Sequence, residues 1–137
     1  MTDRWRRRVV PGRAAGLTLI ELVVVAAIIG AVAAMAIPLY ANAQTRARIE
    51  KAQADLQALA AAVRMYADHM GRLPYALTAL TATAVNGRNQ SAGPFIDTVS
   101  PPPFGGDPPW GAYAYTSSRA GTFSIMAVGD GTTLVVP

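Results

Sequence analysis

A long apolar segment near the N-terminus constrains this chain more than any other feature of its sequence. Residues 17–39 form a run of 23 residues that only Thr18 and Glu21 interrupt, and residues 22–37 carry no charged or strongly polar side chain. As an α-helix the run would be about 34 Å long, which is enough to cross a hydrocarbon core of roughly 30 Å. The sequence therefore predicts one membrane-spanning helix.

Glu21 is the unusual residue in this segment. A carboxylate in a membrane-length helix costs about 2.5–3.5 kcal/mol at the bilayer centre, and less near a helix end. Ionisable residues at such positions usually have a function and a partner that offsets their charge. We therefore treat Glu21 as a candidate functional residue.

The residues around Glu21 resemble the processing site of type IV pilins and type II secretion pseudopilins. The sequence GLTLIE, residues 16–21, follows a basic leader and precedes the apolar run. In that family a membrane peptidase cleaves after the glycine, and the new N-terminal amine is methylated. The resemblance implies cleavage between Gly16 and Leu17, methylation of Leu17, and Glu21 as the fifth mature residue. Pro38 stands where many members of the family also carry proline.

The role implied for Glu21 is to set the register between subunits of a filament. Glu21 of one subunit can pair with the Leu17 amine of a neighbour, which offsets the desolvation of both charges. Apolar contacts alone would let such helices slide past one another. Gly30 and Pro38 are predicted weak points of the helix, and we expect a bend or local melting over residues 34–38 because proline removes a backbone hydrogen bond.

The positive charge of the chain belongs to its first 16 residues. They contain five arginines and one aspartate, whereas residues 17–137 contain seven basic and seven acidic side chains. A basic segment before a membrane helix favours a cytoplasmic N-terminus. Together with the resemblance, this orientation implies a single-pass protein of the bacterial inner membrane with a periplasmic C-terminal domain, which enters a periplasmic or cell-surface filament. Nucleic acid is not an expected partner.

An ordinary secretory signal is the alternative interpretation of the N-terminus. Residues 6–8 are three arginines, and residues 34–36 fit a small-residue cleavage site. Against this, Glu21 would lie inside the apolar part of the signal, and alanine-rich helical sequence continues past the cut. The mature protein would begin at Ile37 after cleavage of a secretory signal and at Leu17 after pilin-type processing.

Residues 40–70 predict an amphipathic continuation of the helix. Apolar residues recur at spacings of three and four and so share one face: Ile49, Ala52, Leu56, Leu59, Val63, Tyr66 and Met70. We favour packing of this stripe on a sheet, although the spacing also fits a coiled-coil seam. Gly71 is the expected C-cap, and His69 in the last turn suits the helix dipole.

The remaining sequence predicts an irregular connector followed by three antiparallel strands. The connector, residues 71–109, would hold a short helix within 75–85, a polar loop at 86–93 and a Pro/Gly-rich stretch at 94–109. The strands would span residues 110–116, 122–128 and 132–136, with Asp130-Gly131 as a hairpin turn. The predicted fold is therefore α+β and pilin-like, with a long N-terminal helix packed against a small antiparallel three-stranded sheet. Its parts would be a cleaved leader (1–16), a transmembrane or filament-core helix (17–39) and a globular domain (40–137).

No enzyme signature is present, and neither a catalytic residue nor a metal site is predicted. The chain has no cysteine and one histidine, which excludes thiolate chemistry. Short landmarks at residues 71–74 and 107–111 resemble those of major pseudopilins, which usually continue into an Asp-rich calcium loop. Asp130 is the only acidic residue after Asp107, whereas calcium prefers six to eight oxygen ligands. We therefore expect no cofactor, with calcium as the one doubtful candidate.

The resemblance implies a structural subunit of a type IV pilus-like filament. A type II secretion pseudopilin is favoured over a surface pilin for adhesion, motility or DNA uptake. The implied partners are copies of the chain, a prepilin peptidase, an assembly platform membrane protein with its ATPase, and minor pilins or pseudopilins. The alternative of another class is a membrane-anchored or secreted monomeric binding module that uses the Pro- and aromatic-rich C-terminal half.

Overall fold

The computed structural model describes residues 16–137, which form one long helix, one short 3₁₀ helix and two small sheets. The elements are α1 (Leu19–Met70), the 3₁₀ helix Leu77–Thr81, β1 (Ala84–Val85), β2 (Ser91–Ala92), β3 (Ala114–Ser117), β4 (Phe123–Gly129) and β5 (Thr132–Val136). Strands β3, β4 and β5 make an antiparallel sheet in that order, and β1 pairs with β2. This arrangement confirms the predicted α+β, pilin-like fold class. Apart from Gly16, the predicted leader lies outside the described residues.

Helix α1 begins and ends at residues with specific capping geometry. The backbone N–H of Glu21 donates a hydrogen bond to Thr18 Oγ1 at 3.3 Å, so Thr18 caps the first turn. Gly71 has a φ of 70° and donates its N–H to the Ala67 carbonyl at 2.8 Å, which confirms the predicted glycine C-cap. Between these caps α1 is continuous through Gly30 and Pro38. The kink therefore stays a prediction.

The unit Tyr40–Pro137 is built on the predicted apolar stripe of α1. Its buried helical residues are Ala52, Leu56, Leu59, Ala60, Ala62, Val63 and Tyr66. They form one core with Ile125 and Ala127 of β4 and with Leu80 of the 3₁₀ helix, all fully buried. The stripe thus packs on the sheet, as predicted, and is covered within the chain rather than forming a coiled-coil seam.

Strand β4 alternates between the core and the outer face of the sheet. Ile125 and Ala127 are fully buried, whereas Met126 and Val128 are exposed. A two-residue turn connects β4 to β5, and both of its residues have positive φ, 48° at Asp130 and 67° at Gly131. This is the geometry of a type I′ turn, and it confirms the hairpin predicted from the Asp-Gly pair.

Two element predictions were wrong. The first strand of the main sheet begins at Ala114 rather than at residue 110, because Trp110 turns into the core and packs against Gly129. Residues 86–93, predicted as a polar loop, contain strand β2, which pairs with β1 in a small antiparallel hairpin. The Asn86 side chain holds its turn by accepting hydrogen bonds from the backbone N–H groups of Arg88 and Gln90, both at 3.0 Å. Two-residue strands are too short to give an alternating sequence pattern.

Two tyrosine hydroxyls tie the region of β3 to the rest of the domain. Tyr113 donates to Asp55 Oδ2 at 2.7 Å, and Tyr115 donates to the Pro74 carbonyl at 2.9 Å. Burial, reinforced by the Asp55 carboxylate, raises the pKa of Tyr113 well above its ordinary value. The Tyr113 hydroxyl therefore keeps its proton and remains a hydrogen-bond donor.

Replacing Leu56 by alanine tests whether the stripe is the core of the domain. Leu56 is fully buried, so Leu56→Ala should lower the free energy of unfolding by about 2–5 kcal/mol. Met65 lies on the exposed side of the same helix, and Met65→Ala should change it by no more than about 0.5 kcal/mol. Denaturant unfolding of the detergent-solubilised protein, followed by circular dichroism, measures both. Equal effects of the two substitutions would contradict this core.

Candidate assembly segment and the Asp130 node

Residues 16–39 expose an apolar surface that only Thr18 and Glu21 interrupt, and we call them the assembly segment. All of them are exposed, including Leu19, Ile28, Ile29 and Met35, each by more than half of its surface. The helix that contains them is long and apolar enough to cross a membrane, and none of its most apolar window is buried. Contiguous apolar surface of this size indicates that a bilayer or other protein helices cover it.

Glu21 lies in the first turn of α1, within this apolar surface. Thr18 and Glu21 have the spacing of a capping box, and the half of that motif in which the hydroxyl accepts from the N3 backbone N–H is formed. Among residues 16–137, no hydrogen bond or ion pair reaches the Glu21 carboxylate. The sequence places Leu17 and Glu21 about one helical turn apart, while Gly30 and Pro38 lie further along α1. The capping role of Thr18 was not anticipated from the sequence, although the Thr-x-x-Glu pattern could have revealed it.

A second polar cluster lies in the unit Tyr40–Pro137, and we call Arg48, Asp107, Trp110 and Asp130 the Asp130 node. Arg48 binds the Asp130 carboxylate with two hydrogen bonds, from Nε to Oδ2 at 2.7 Å and from Nη2 to Oδ1 at 3.1 Å. Trp110 Nε1 donates to Oδ2 at 2.9 Å, and the backbone N–H of Asp107 donates to Oδ1 at 3.2 Å. Each carboxylate oxygen therefore accepts two hydrogen bonds.

The Asp130 node joins three parts of the chain. Arg48 belongs to α1, Asp107 and Trp110 to the connector, and Asp130 to the turn between β4 and β5. Two positions beside the node require glycine, because the backbone there passes very close to node side chains. A Cβ on Gly106 would lie 2.9 Å from Asp130 Oδ1, and a Cβ on Gly129 would overlap Trp110. The Asp130 N–H also donates to the Pro108 carbonyl at 2.8 Å. The connector is thus shaped around one carboxylate.

The electrostatics of the node favour the charged form of both partners. The Asp130 side chain is only 5% exposed, yet the hydrogen bonds from Arg48, with further ones from Trp110 and Asp107, lower the pKa of Asp130 to about 2. The same bond to Asp130 raises the pKa of Arg48 above its ordinary value. Asp130 therefore remains ionised at any physiological pH.

Sequence reasoning did not identify Arg48. It is a charged residue outside the apolar stripe predicted for α1, whereas the structure places it half-buried at the margin of that face. The only sequence feature that pointed to its burial is that it lies four residues before the buried Ala52, on the same face of the helix. The partner Asp130 lies 82 residues away, and nothing local in the sequence connects the two.

These features define the class of the protein. A helix with an exposed, membrane-length apolar half, whose second half packs on a three-stranded antiparallel sheet, is the architecture of a pilin-like subunit.

The comparisons with known proteins give the particular family. The family model of the type II secretion system (T2SS), protein G, matches residues 40–133. The match covers more than half of the chain, which therefore belongs to this family and is a pseudopilin subunit of the T2SS. The family is a structural component of the secretion system and not a family of enzymes. No curated protein and no solved structure gave a significant match.

The Asp130 node predicts a specific response of stability to acid. Because the folded-state pKa of about 2 lies below the ordinary value of 3.8, the stabilisation by ionised Asp130 is complete above about pH 4 and is lost as the pH falls towards 2. The difference in unfolding free energy between wild type and Asp130→Asn should therefore shrink across this range. Denaturant titrations at successive pH values measure it.

Asp97→Asn is the control for this acid response. Asp97 is an exposed aspartate of the connector, so its replacement removes one carboxylate without touching the node. A wild-type to Asp130→Asn difference that stayed constant from pH 7 to pH 2 would contradict the assigned ion pair.

Proposed function

We propose that the chain is a major-type pseudopilin that is stored in the inner membrane and extracted into a helical pseudopilus through its N-terminal helix. The observation that carries the proposal is the assembly segment, an exposed apolar surface with one carboxylate. The helix that contains it continues into a domain of the protein G family. The family match starts at residue 40, so processing, methylation and the register role rest on the assembly segment and on the resemblance of residues 16–21.

The first step of the proposed pathway is cleavage after Gly16 by a prepilin peptidase. The cut releases the α-amine of Leu17, which is then methylated and stays positively charged. Leu17 precedes the start of α1, and Thr18 caps the first turn. The new cation would thus lie one turn from Glu21, at the helix terminus where the dipole favours a carboxylate rather than a cation.

The second step pairs charges between subunits. Glu21 has no partner among the described residues of its own chain, and an unpaired carboxylate in apolar surroundings is costly. In a bundle of such helices, Glu21 of one subunit can accept hydrogen bonds from the Leu17 amine of the next. Because the rest of the segment is mostly Val, Ala, Leu and Ile, which offer no directional contacts, this pair would determine the axial offset between subunits.

The proposed topology places the N-terminus in the cytoplasm and Tyr40–Pro137 in the periplasm. The five arginines of the leader support this orientation, since positive charge is retained on the cytoplasmic side. The corresponding partners are the assembly platform protein and its ATPase on the membrane, minor pseudopilins, and further copies of the chain. The alternative of a surface pilin has less support, because the matching family belongs to the secretion system.

Replacing Gly16 by alanine tests the processing step. A methyl group at the scissile residue should leave the precursor uncut, so the purified protein would begin at Met1, whereas wild type would begin at Leu17. Intact-protein mass and N-terminal sequencing measure the outcome. Ala14→Gly is the matched control in the same leader and should be processed normally. Wild-type protein that begins at Ile37 would show that a secretory signal operates instead.

Replacing Glu21 by alanine tests the register step. We expect the variant to accumulate in the membrane at the wild-type level, while the filament fraction recovered by shearing falls at least about tenfold, which corresponds to about 1.4 kcal/mol. Glu21→Gln should fail similarly, because the amide keeps the size of the side chain but not its charge.

Glu50→Ala is the control for the Glu21 variants. Glu50 is an exposed glutamate of the same helix that lies outside the assembly segment, and its loss should leave filament yield near wild type. Normal filament yield from both Glu21 variants would refute the register role while leaving the family assignment intact.

A further inference from the structure

The hydrogen-bond count at Asp130 determines what else its carboxylate can bind. A carboxylate offers about four lone-pair positions. Arg48 occupies two of them, Trp110 occupies a third and the Asp107 N–H occupies the fourth. The side chain is nearly enclosed, with 5% of its surface exposed. A metal ion at Asp130 would therefore have to displace at least one of these donors.

The surrounding residues do not fit the calcium ion that major pseudopilins usually hold in their C-terminal loop. Calcium requires six to eight oxygen ligands, commonly from several carboxylates. Within residues 16–137, no cluster of three or more Asp, Glu or His side chains suits a metal ion. A guanidinium already lies 2.7 Å from the Asp130 carboxylate and would repel a divalent cation placed beside it.

We infer that the guanidinium of Arg48 serves as the built-in cation of this loop, and that the fold of the domain is independent of calcium. It neutralises Asp130 and supplies two hydrogen bonds of fixed geometry, which orient the carboxylate towards Trp110 and the Asp107 N–H. In this way α1 holds the β4–β5 turn and the connector together without a bound ion. The inference concerns the unit Tyr40–Pro137 and does not depend on processing at Gly16.

The test measures the melting temperature of the full-length, detergent-solubilised chain with and without calcium. Trp5→Phe is introduced first, so that Trp110 is the only tryptophan whether or not the leader is removed. Trp110 fluorescence then reports directly on the node. In 5 mM EGTA and in 5 mM CaCl₂ the Tm should agree within about 1 °C, whereas calcium at 100 times its dissociation constant would raise it by roughly 10 °C.

Variants of Arg48 test whether its guanidinium is the cation that stabilises the Asp130 node. Arg48→Ala should lower the Tm by at least about 5 °C and shift Trp110 emission to longer wavelength, because it leaves Asp130 without its counter-charge. Arg48→Lys keeps the charge without the two-pronged geometry and should give an intermediate Tm. Arg46→Ala removes an exposed arginine two residues away on the same helix and should leave the Tm within about 1 °C of wild type.

Two results would overturn the inference. One is a wild-type Tm that falls in EGTA and returns with CaCl₂, and the other is an Arg48→Ala protein with unchanged Tm and Trp110 emission. If Arg48→Ala does not fold, the wild-type comparison in EGTA and CaCl₂ still decides the matter.

Discussion

Burial of the α1 stripe against strand β4 is the contact on which the folded domain depends. A three-stranded sheet of this size needs a partner surface to be stable in water. Leu56, Leu59 and Val63 supply that surface and are fully or almost fully buried, as is Ile125 on the opposing strand. The 3₁₀ helix and the connector then cover the edges of this core through Leu80 and Trp110. Because the stripe faces inward, the domain leaves the outer side of α1 available for contacts with other subunits.

Asp130 and the proposed register residue Glu21 are two carboxylates in contrasting surroundings. Asp130 is enclosed by protein, and Arg48, Trp110 and a backbone N–H satisfy it within one subunit. Glu21 lies in apolar surroundings and finds no such partner among the described residues. A buried charge that is paired internally stabilises one conformation, whereas one that can be paired only by a neighbour favours association. The first suits a permanent joint inside the domain, and the second would suit the proposed assembly of a filament from subunits stored in the membrane.

Local patterns explain what the sequence could predict. The 3.6-residue period of residues 49–70, the glycine at position 71 and the Asp-Gly turn each act over a few residues, and the structure confirms them. Trp110 was misassigned to a strand because its burial depends on Gly129 and on Asp130, which are close in space but about twenty residues away. Arg48 was missed for the same reason, since its role exists only once the β4–β5 turn is folded against α1. The role of Glu21 came from the cost of its charge and from resemblance, and it remains a prediction.

The separation of these two roles along one helix has a consequence for how the sequence can change. Glu21 and Arg48 are 27 residues apart and share no partner among the described residues, so the free-energy effects of their substitutions should add. Under the proposed function, changes in the assembly segment would alter association without weakening the domain, and changes at the Asp130 node would alter the domain without removing the charge that would set the register. A built-in guanidinium strengthens this independence, because an arginine cannot be lost to dilution or chelation as a bound ion can. The fold of each subunit would therefore be fixed before assembly begins, and association would be left to the N-terminal half of α1.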